Sequence, residues 1–296
     1  MVRLEHVSKS FAAIKAVDNV SLAVNKAAIT ILTGADGAGK STIFKMLVGL
    51  VKKDSGAILL NGEDIGNDYS RITSICGFMP ERFSLYADLS VEENLNFFAA
   101  VQQVPLPRRE ELKKRLLERT GMSPFRKRRA GALSGGMKQK LALSTILLSS
   151  PELIILDEPT TGVDPLSRIE FFAIIEALKN EGKTIVMSTP YLDEAEKGDN
   201  VVFIKNGRVM RQDSISGLRD SFPARLFRIL PRDNIFEVMA RISTIPGLGD
   251  QVHMRGKFIR YMQTGSVNLG RQIPHLEMVE EKPTLEDMYI YYERQQ

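Results

Sequence analysis

The stretch Ala27–Thr42 reads AAITILTGADGAGKST. Its first half is a continuous apolar run ending in glycine, the pattern of a parallel strand buried on both faces. Its second half, GADGAGKST (Gly34–Thr42), matches G-x-x-x-x-G-K-[ST], and STIFKMLVGL (Ser41–Leu50) predicts a helix directly after it. Strand, glycine loop and helix form the context that gives this motif a physical meaning. Gly34, Ala35, Asp36, Gly37, Ala38 and Gly39 offer backbone N–H groups to phosphate oxygens, because glycine permits the dihedrals and the helix start adds a positive dipole end. Lys40 supplies charge to the β- and γ-phosphates, Ser41 is a candidate Mg²⁺ ligand, and Thr42 completes the loop.

Two further buried strands are predicted at LIILDE (Leu153–Glu158) and TIVMST (Thr184–Thr189), with a helix over Pro165–Glu181 between them. Asp164 fits as its N-cap, Pro165 as its first residue and Gly182 as its stop. Strands alternating with helices imply an α/β layered domain with a mainly parallel sheet, and ligands then sit at the carboxyl ends of the strands. An apolar strand does not carry two carboxylates into a core without a partner or a purpose. Asp157 can hold Mg²⁺ through water, and Glu158 can orient or deprotonate an attacking water.

A mostly helical stretch, Ser90–Thr120, opens on a capping box of Ser90 and Glu93 and reads as a helical lobe. After it comes ALSGGMKQKLALS (Ala132–Ser144), in which Ser134, Gly135 and Gly136 form a second glycine-rich helix entrance. A second anion cradle makes sense if it serves a nucleotide held by another subunit. A hairpin follows at FIKNGRVMRQD, turned at Asn206-Gly207. Beyond Phe222-Pro223 the tail reads as strand 224–230, helix 234–243, strands 251–255 and 258–262, a short helix near 266–271, strand 276–281, and a last helix from Thr284. That order, βαββαβ, matches a small ferredoxin-like unit.

The composition is that of an ordinary globular chain, 43% hydrophobic and 26% charged with a formal net charge of +4. No segment reaches the roughly 20 apolar residues that span a bilayer, and MVRLEHVSKSF lacks the features of a secretory signal. The single Cys76 leaves no intrachain disulfide, as suits a reducing compartment. The basic run Arg126–Arg129 reads as a solvated face, and the absence of a basic stripe speaks against nucleic acid as a partner.

LSGGMKQK followed by LDEPTTGVDP resembles the signature and Walker B to D-loop sequence of ABC transporter ATP-binding proteins. The resemblance covers about residues 1–213, and the layout is most similar to drug and antibiotic exporter ATPases of the type-2 class. It implies a P-loop NTPase of the ABC ATPase type over residues 1–221, with the helical lobe at about 82–150. A small α+β regulatory or interaction domain would occupy 222–296. It implies ATP and Mg²⁺ as cofactors and a head-to-tail dimer with a second nucleotide-binding domain. Each ATP would lie between one subunit's Gly34–Thr42 loop and the other's Ser134–Gly136. It also implies membrane-spanning transporter subunits that hold the chain on the inner, cytoplasmic face of the membrane. Phe11 would stack on adenine, a role that suits its aromatic face, and Lys40 and Glu158 would be the catalytic pair.

Four positions depart from the family pattern. Ala35 and Asp36 replace Pro-Asn, Glu81 stands where glutamine is usual, and Pro190 stands where the family carries its switch histidine. Glu81 can still ligate Mg²⁺ beside Ser41 and Asp157, but it adds negative charge near the γ-phosphate. Pro190 has no side-chain donor and suits the first position of a helix capped by Thr189. Two readings stay open: an ATP-hydrolysing motor subunit, or a hydrolysis-impaired dimerisation subunit that lends its LSGG to a competent partner. In the first, Tyr191 is a candidate substitute for the missing histidine.

Overall fold

The structure, a computed structural model, describes residues 1–82, 85–231, 234–264, 269–273 and 276–295. Its backbone contacts divide into two units, Met1–Ser214 and Ile215–Gln296.

In the first unit the chain runs β1 (Val2–Phe11), β2 (Ile14–Val24), β3 (Ile29–Thr33), α1 (Lys40–Leu47), β4 (Ser55–Leu60), β5 (Glu63–Asp64), α2 (Ser70–Thr73) and β6 (Cys76–Met79). The helical lobe follows as α3 (Val91–Val101), α4 (Leu106–Arg119) and α5 (Gly135–Ile146), and the unit ends with β7 (Leu153–Leu156), α6 (Pro165–Asn180), β8 (Thr184–Thr189), α7 (Leu192–Ala195), β9 (Asn200–Lys205) and β10 (Arg208–Ser214). One sheet has the order β10-β9-β3-β8-β7-β6. Strand β3 is parallel to both β8 and β9, and β7 is parallel to both β8 and β6. All residues of β3, β7 and β8 are buried, and their sequences carry only apolar residues, threonines and one serine. A second sheet, β2-β1-β4-β5, is antiparallel, and Phe44, Met46 and Leu47 of α1 belong to a core shared with Val2, Leu4 and Ile58 of that sheet and Ile155 and Val202 of the first.

The punctuation read from the sequence holds. Ser90 and Glu93 form a reciprocal capping box on α3, the Asp164 carboxylate caps α6, and Asn206 and Gly207 both take positive φ in the β9–β10 turn. One reading of a helix start does not hold. Helix α7 begins at Leu192 with Tyr191 in the N-cap position, not at Pro190 after a Thr189 cap. The Thr189 hydroxyl accepts the Tyr191 N–H at 3.1 Å and donates to Glu194 Oε2 at 2.5 Å, so it closes a turn around Pro190 before the helix begins.

The second unit runs α8 (Ile215–Asp220), β11 (Arg225–Ile229), α9 (Ile235–Ser243), β12 (Val252–Arg255), β13 (Phe258–Gln263), α10 (Leu269–Gln272), β14 (Met278–Glu281) and α11 (Leu285–Arg294). Its sheet order is β12-β13-β11-β14 with every neighbouring pair antiparallel, the arrangement of a split βαββαβ unit. Helix α8 precedes the pattern change at Phe222-Pro223 and belongs to this unit. The first part of the short helix expected at 266–271 lies outside the described residues; the described helix is Leu269–Gln272.

Candidate functional site

The Gly34–Thr42 loop leaves the carboxyl end of β3 and turns into α1 through Gly39, whose φ of 106° favours glycine. A Cβ there would run into the Ala16 carbonyl oxygen, so both conformation and space exclude a side chain. Lys40 is 3% exposed; its ammonium donates to the Gly34 and Ala35 carbonyls at 2.9 and 3.1 Å and lies 3.3 Å from Glu158 Oε1.

A cleft of about 400 Å³ is bounded by Ala16, the loop from Asp36 to Thr42, Glu81, Glu158 and Thr161. It therefore unites Asp36, Gly37, Ala38, Gly39, Lys40, Ser41, Thr42, Glu81 and Glu158. Gly34 and Ala35 serve it from behind, through their bonds to Lys40. Phe11, at the end of β1, is 46% exposed, as a stacking platform requires, and Lys9 Nζ lies 5.4 Å from its ring centre.

Asp157 is buried just past the end of β7, and the Ser188 hydroxyl donates to its Oδ1 at 2.7 Å. The same hydroxyl accepts the Glu158 N–H at 2.9 Å, and Glu158 sits at a φ of 47°. Thr161 donates to Glu158 Oε2 at 3.3 Å. No group of three His, Cys, Asp or Glu among the described residues forms a metal cage. Ser41 and Glu81 bound the cleft and Asp157 does not; all three are oxygen donors of the kind that suits Mg²⁺, which takes one or two carboxylates and completes its shell with phosphate and water.

Ser134, Gly135 and Gly136 do not join this cleft. Ser134 caps α5, accepting the Met137 N–H at 3.3 Å, and Gly135 faces a separate hollow that also touches Glu81. A Cβ on Gly136 would strike Ser167 of α6, so the glycine is what lets α5 approach that helix.

At the Pro190 corner no histidine bounds the cleft; His275 lies outside the described residues. The Tyr191 ring lies under the Arg168 guanidinium, 4.2 Å from it, and Tyr191 is not among the residues that bound the cleft. Glu194, 1% exposed, accepts from Thr160 Oγ1 at 2.8 Å as well as from Thr189. Sequence reasoning missed Ala16, Thr161, Ser188 and Glu194. For Ser188 and Glu194 a signal existed, a hydroxyl and a carboxylate inside otherwise apolar or helix-start patterns.

A sequence profile described as ABC transporter matches residues 17–161. The probable multidrug ABC transporter ATP-binding protein YbhF of Escherichia coli (strain K12) is 36% identical over 281 residues, 93% of this chain and 48% of that protein. The chain thus spans about half the length of that relative. The lantibiotic transport ATP-binding protein SrtF of Streptococcus pyogenes is 36% identical over 219 residues, 73% of this chain and 92% of that protein. Among solved structures, a dimeric ATP-binding cassette in a post-hydrolysis state with ADP and Pi is similar at a TM-score of 0.66 and 25% identity, covering 73% of this chain and 99% of the other. On the profile match and on 36% identity to a relative covered over 92% of its length, the chain belongs to the ABC transporter family of ATP-binding proteins.

Proposed function

We propose that this chain is the ATP-hydrolysing subunit of an exporter, binding MgATP at Gly34–Thr42 and completing its site with the Ser134–Gly136 helix start of a second nucleotide-binding domain. The observation that carries this reading is the division of labour within one chain. Lys40, Ser41 and Glu158 share a cleft, while the second anion cradle stands outside it with its helix end free to serve another subunit's nucleotide. Ser41, Asp157 and Glu81 would hold Mg²⁺, which supplies charge neutralisation to the phosphates. Glu158 would orient water or take its proton, Lys40 would bind the β- and γ-phosphates, and Phe11 would stack on adenine. Among the described residues no helix is long and apolar enough to cross a membrane. We infer that membrane-spanning partners hold the chain at the cytoplasmic face, with residues 215–296 as an added interaction domain. The names of the relatives support export, and nucleic acid has no part in the reading.

The experiment is complementation. Lys40→Ala and Ser134→Arg subunits, each inactive alone, regain Mg²⁺-dependent ATP turnover when mixed, because the mixed dimer contains one intact composite site. No recovery on mixing would overturn the shared-site reading.

The Pro190 corner favours a second reading, a subunit that binds nucleotide tightly but turns it over slowly and lends its LSGG to a competent partner. Its mark is nanomolar to micromolar ATP affinity with negligible turnover of the chain alone, and turnover restored by a different cassette.

A further inference from the structure

Ser188 is wholly buried in β8, and the sheet order places that strand between β3, which feeds the phosphate loop, and β7, which feeds Asp157 and Glu158. In register it lies beside Leu32 of β3, and its neighbour Met187 lies beside Leu156, the last residue of β7. Its hydroxyl therefore emerges where the two carboxylates leave the sheet. It donates to Asp157 Oδ1 at 2.7 Å and accepts the Glu158 N–H at 2.9 Å. Among the described residues no other side chain bonds the Asp157 carboxylate.

The second bond acts on a peptide that needs holding. Glu158 has a φ of 47°, in the left-handed region that a side chain with a Cβ disfavours, and its carboxylate is aimed from there toward Lys40 and Thr161. Removing the Ser188 hydroxyl leaves that N–H without its partner and frees the Asp157 carboxylate to rotate. One hydroxyl thus sets two groups of different assigned duty.

We propose that Ser188 is a positioning residue for hydrolysis, fixing the orientation of Asp157 toward Mg²⁺ and the backbone of Glu158 through the two bonds of its hydroxyl. This rests on the reading of Asp157 and Glu158 given above. Groups that orient a metal-binding residue from behind are worth about 10–100-fold in affinity or activity. In Ser188→Ala, kcat falls about tenfold or more while KM for ATP at saturating Mg²⁺ stays within about twofold. The Mg²⁺ concentration giving half-maximal binding of a fluorescent ATP analogue rises by about fivefold or more. Ser188→Thr keeps the hydroxyl and returns both quantities to within about threefold of the parent.

The proposal is overturned if Ser188→Ala, melting like the parent, leaves kcat and the Mg²⁺ midpoint unchanged. It is equally overturned if a folded Ser188→Thr restores neither; should that variant not fold, Ser188→Ala decides alone. Equal turnover by the parent and Glu158→Gln would sink the hydrolysis reading instead, and the Mg²⁺ titration, which involves no chemistry, would still decide the role of Ser188.

Discussion

Lys40 Nζ and Glu158 Oε1 stand 3.3 Å apart in a position where the lysine is 3% exposed. On the proposed reading, the lysine that would bind phosphate is held by the carboxylate that would activate water, so arriving nucleotide would draw Lys40 away from Glu158 and free the glutamate. Glu158→Gln removes that competitor for Lys40. A hydrogen bond to a charged group is worth about 1.5 kcal/mol or more, so the variant should bind MgATP roughly tenfold tighter while losing turnover. Equilibrium titration with a fluorescent ATP analogue measures it, and unchanged affinity would show that the pair does not oppose binding.

Lys40→Ala tests the other partner. It would delete the proposed charge-assisted bonds to phosphate, and it removes the lysine donor from the Gly34 and Ala35 carbonyls, the second of which still accepts the Ala38 N–H. MgATP affinity should fall by about 100-fold, a loss of roughly 3 kcal/mol. Retained affinity would remove the phosphate-loop assignment.

At the corner the structure separates two substitutions. Pro190→His should raise turnover by about tenfold or more, since a positioned general acid–base group contributes two or more decades. Helix α7 starts at Leu192, so this change does not disturb a proline inside the helix. Tyr191→Phe should leave turnover within about twofold, because the ring lies under Arg168 and its stacking survives without the hydroxyl. Steady-state rates of both variants decide the matter; a rate unchanged by Pro190→His would show that the missing histidine does not limit this site.

The phosphate loop, the carboxylate pair and the strand-helix alternation were legible because each is written in consecutive residues with a periodicity or a glycine that admits few structures. The βαββαβ order of the tail was legible for the same reason, in alternating apolar patterns broken by turns. Ser188 was not, because its role depends on β8 lying between β3 and β7, and strand order is fixed by packing rather than by any local pattern. Glu194 reads locally as an acid favoured at a helix start. Only the fold brings Thr160 and Thr189 to it and buries it. The start of α7 was misread because a Ser-Thr-Pro sequence fits both a capped helix and a closed turn. The choice between them lay in the side-chain bond from Thr189 to the buried Glu194, which no local pattern displays.

The division between Ser214 and Ile215 predicts that the first unit survives alone. It contains every residue bounding the cleft and its own buried core. A chain ending at Ser214 should unfold cooperatively and bind MgATP within about threefold of the full chain, as expected of a domain with an independent core. Urea unfolding and nucleotide titration of the truncated chain check it, and a non-cooperative transition would place the true boundary elsewhere.

In the second unit, Asp287 is the wholly buried third helical residue of the capping box that Thr284 opens on α11, where its carboxylate accepts the Thr284 N–H at 2.9 Å and the Thr284 hydroxyl at 2.6 Å. His253 Nε2 and Arg260 Nε stand 3.5 and 3.6 Å from its other oxygen. Burial pushes this carboxyl upward, but His253, the Thr284 bonds and the charge of Arg260 together outweigh it and hold the group below its ordinary value of 3.8. A lowered carboxyl stabilises the folded state above its unfolded value and ceases to do so as pH falls through the folded one. Asp287→Asn keeps the shape and an acceptor but removes one of the two carboxylates that face Arg260, whose Nη1 stays paired with Glu281, at a cost of about 1.5 kcal/mol at neutral pH. The stability gap between parent and variant should stay constant from pH 7 down to about pH 5 and shrink below 3.8 as the parent's own carboxyl is protonated. Urea unfolding of both full-length chains across that range measures the gap. A gap that grew on acidification would mean that Asp287 is already protonated in the native state, and that α11 is capped by a neutral acid.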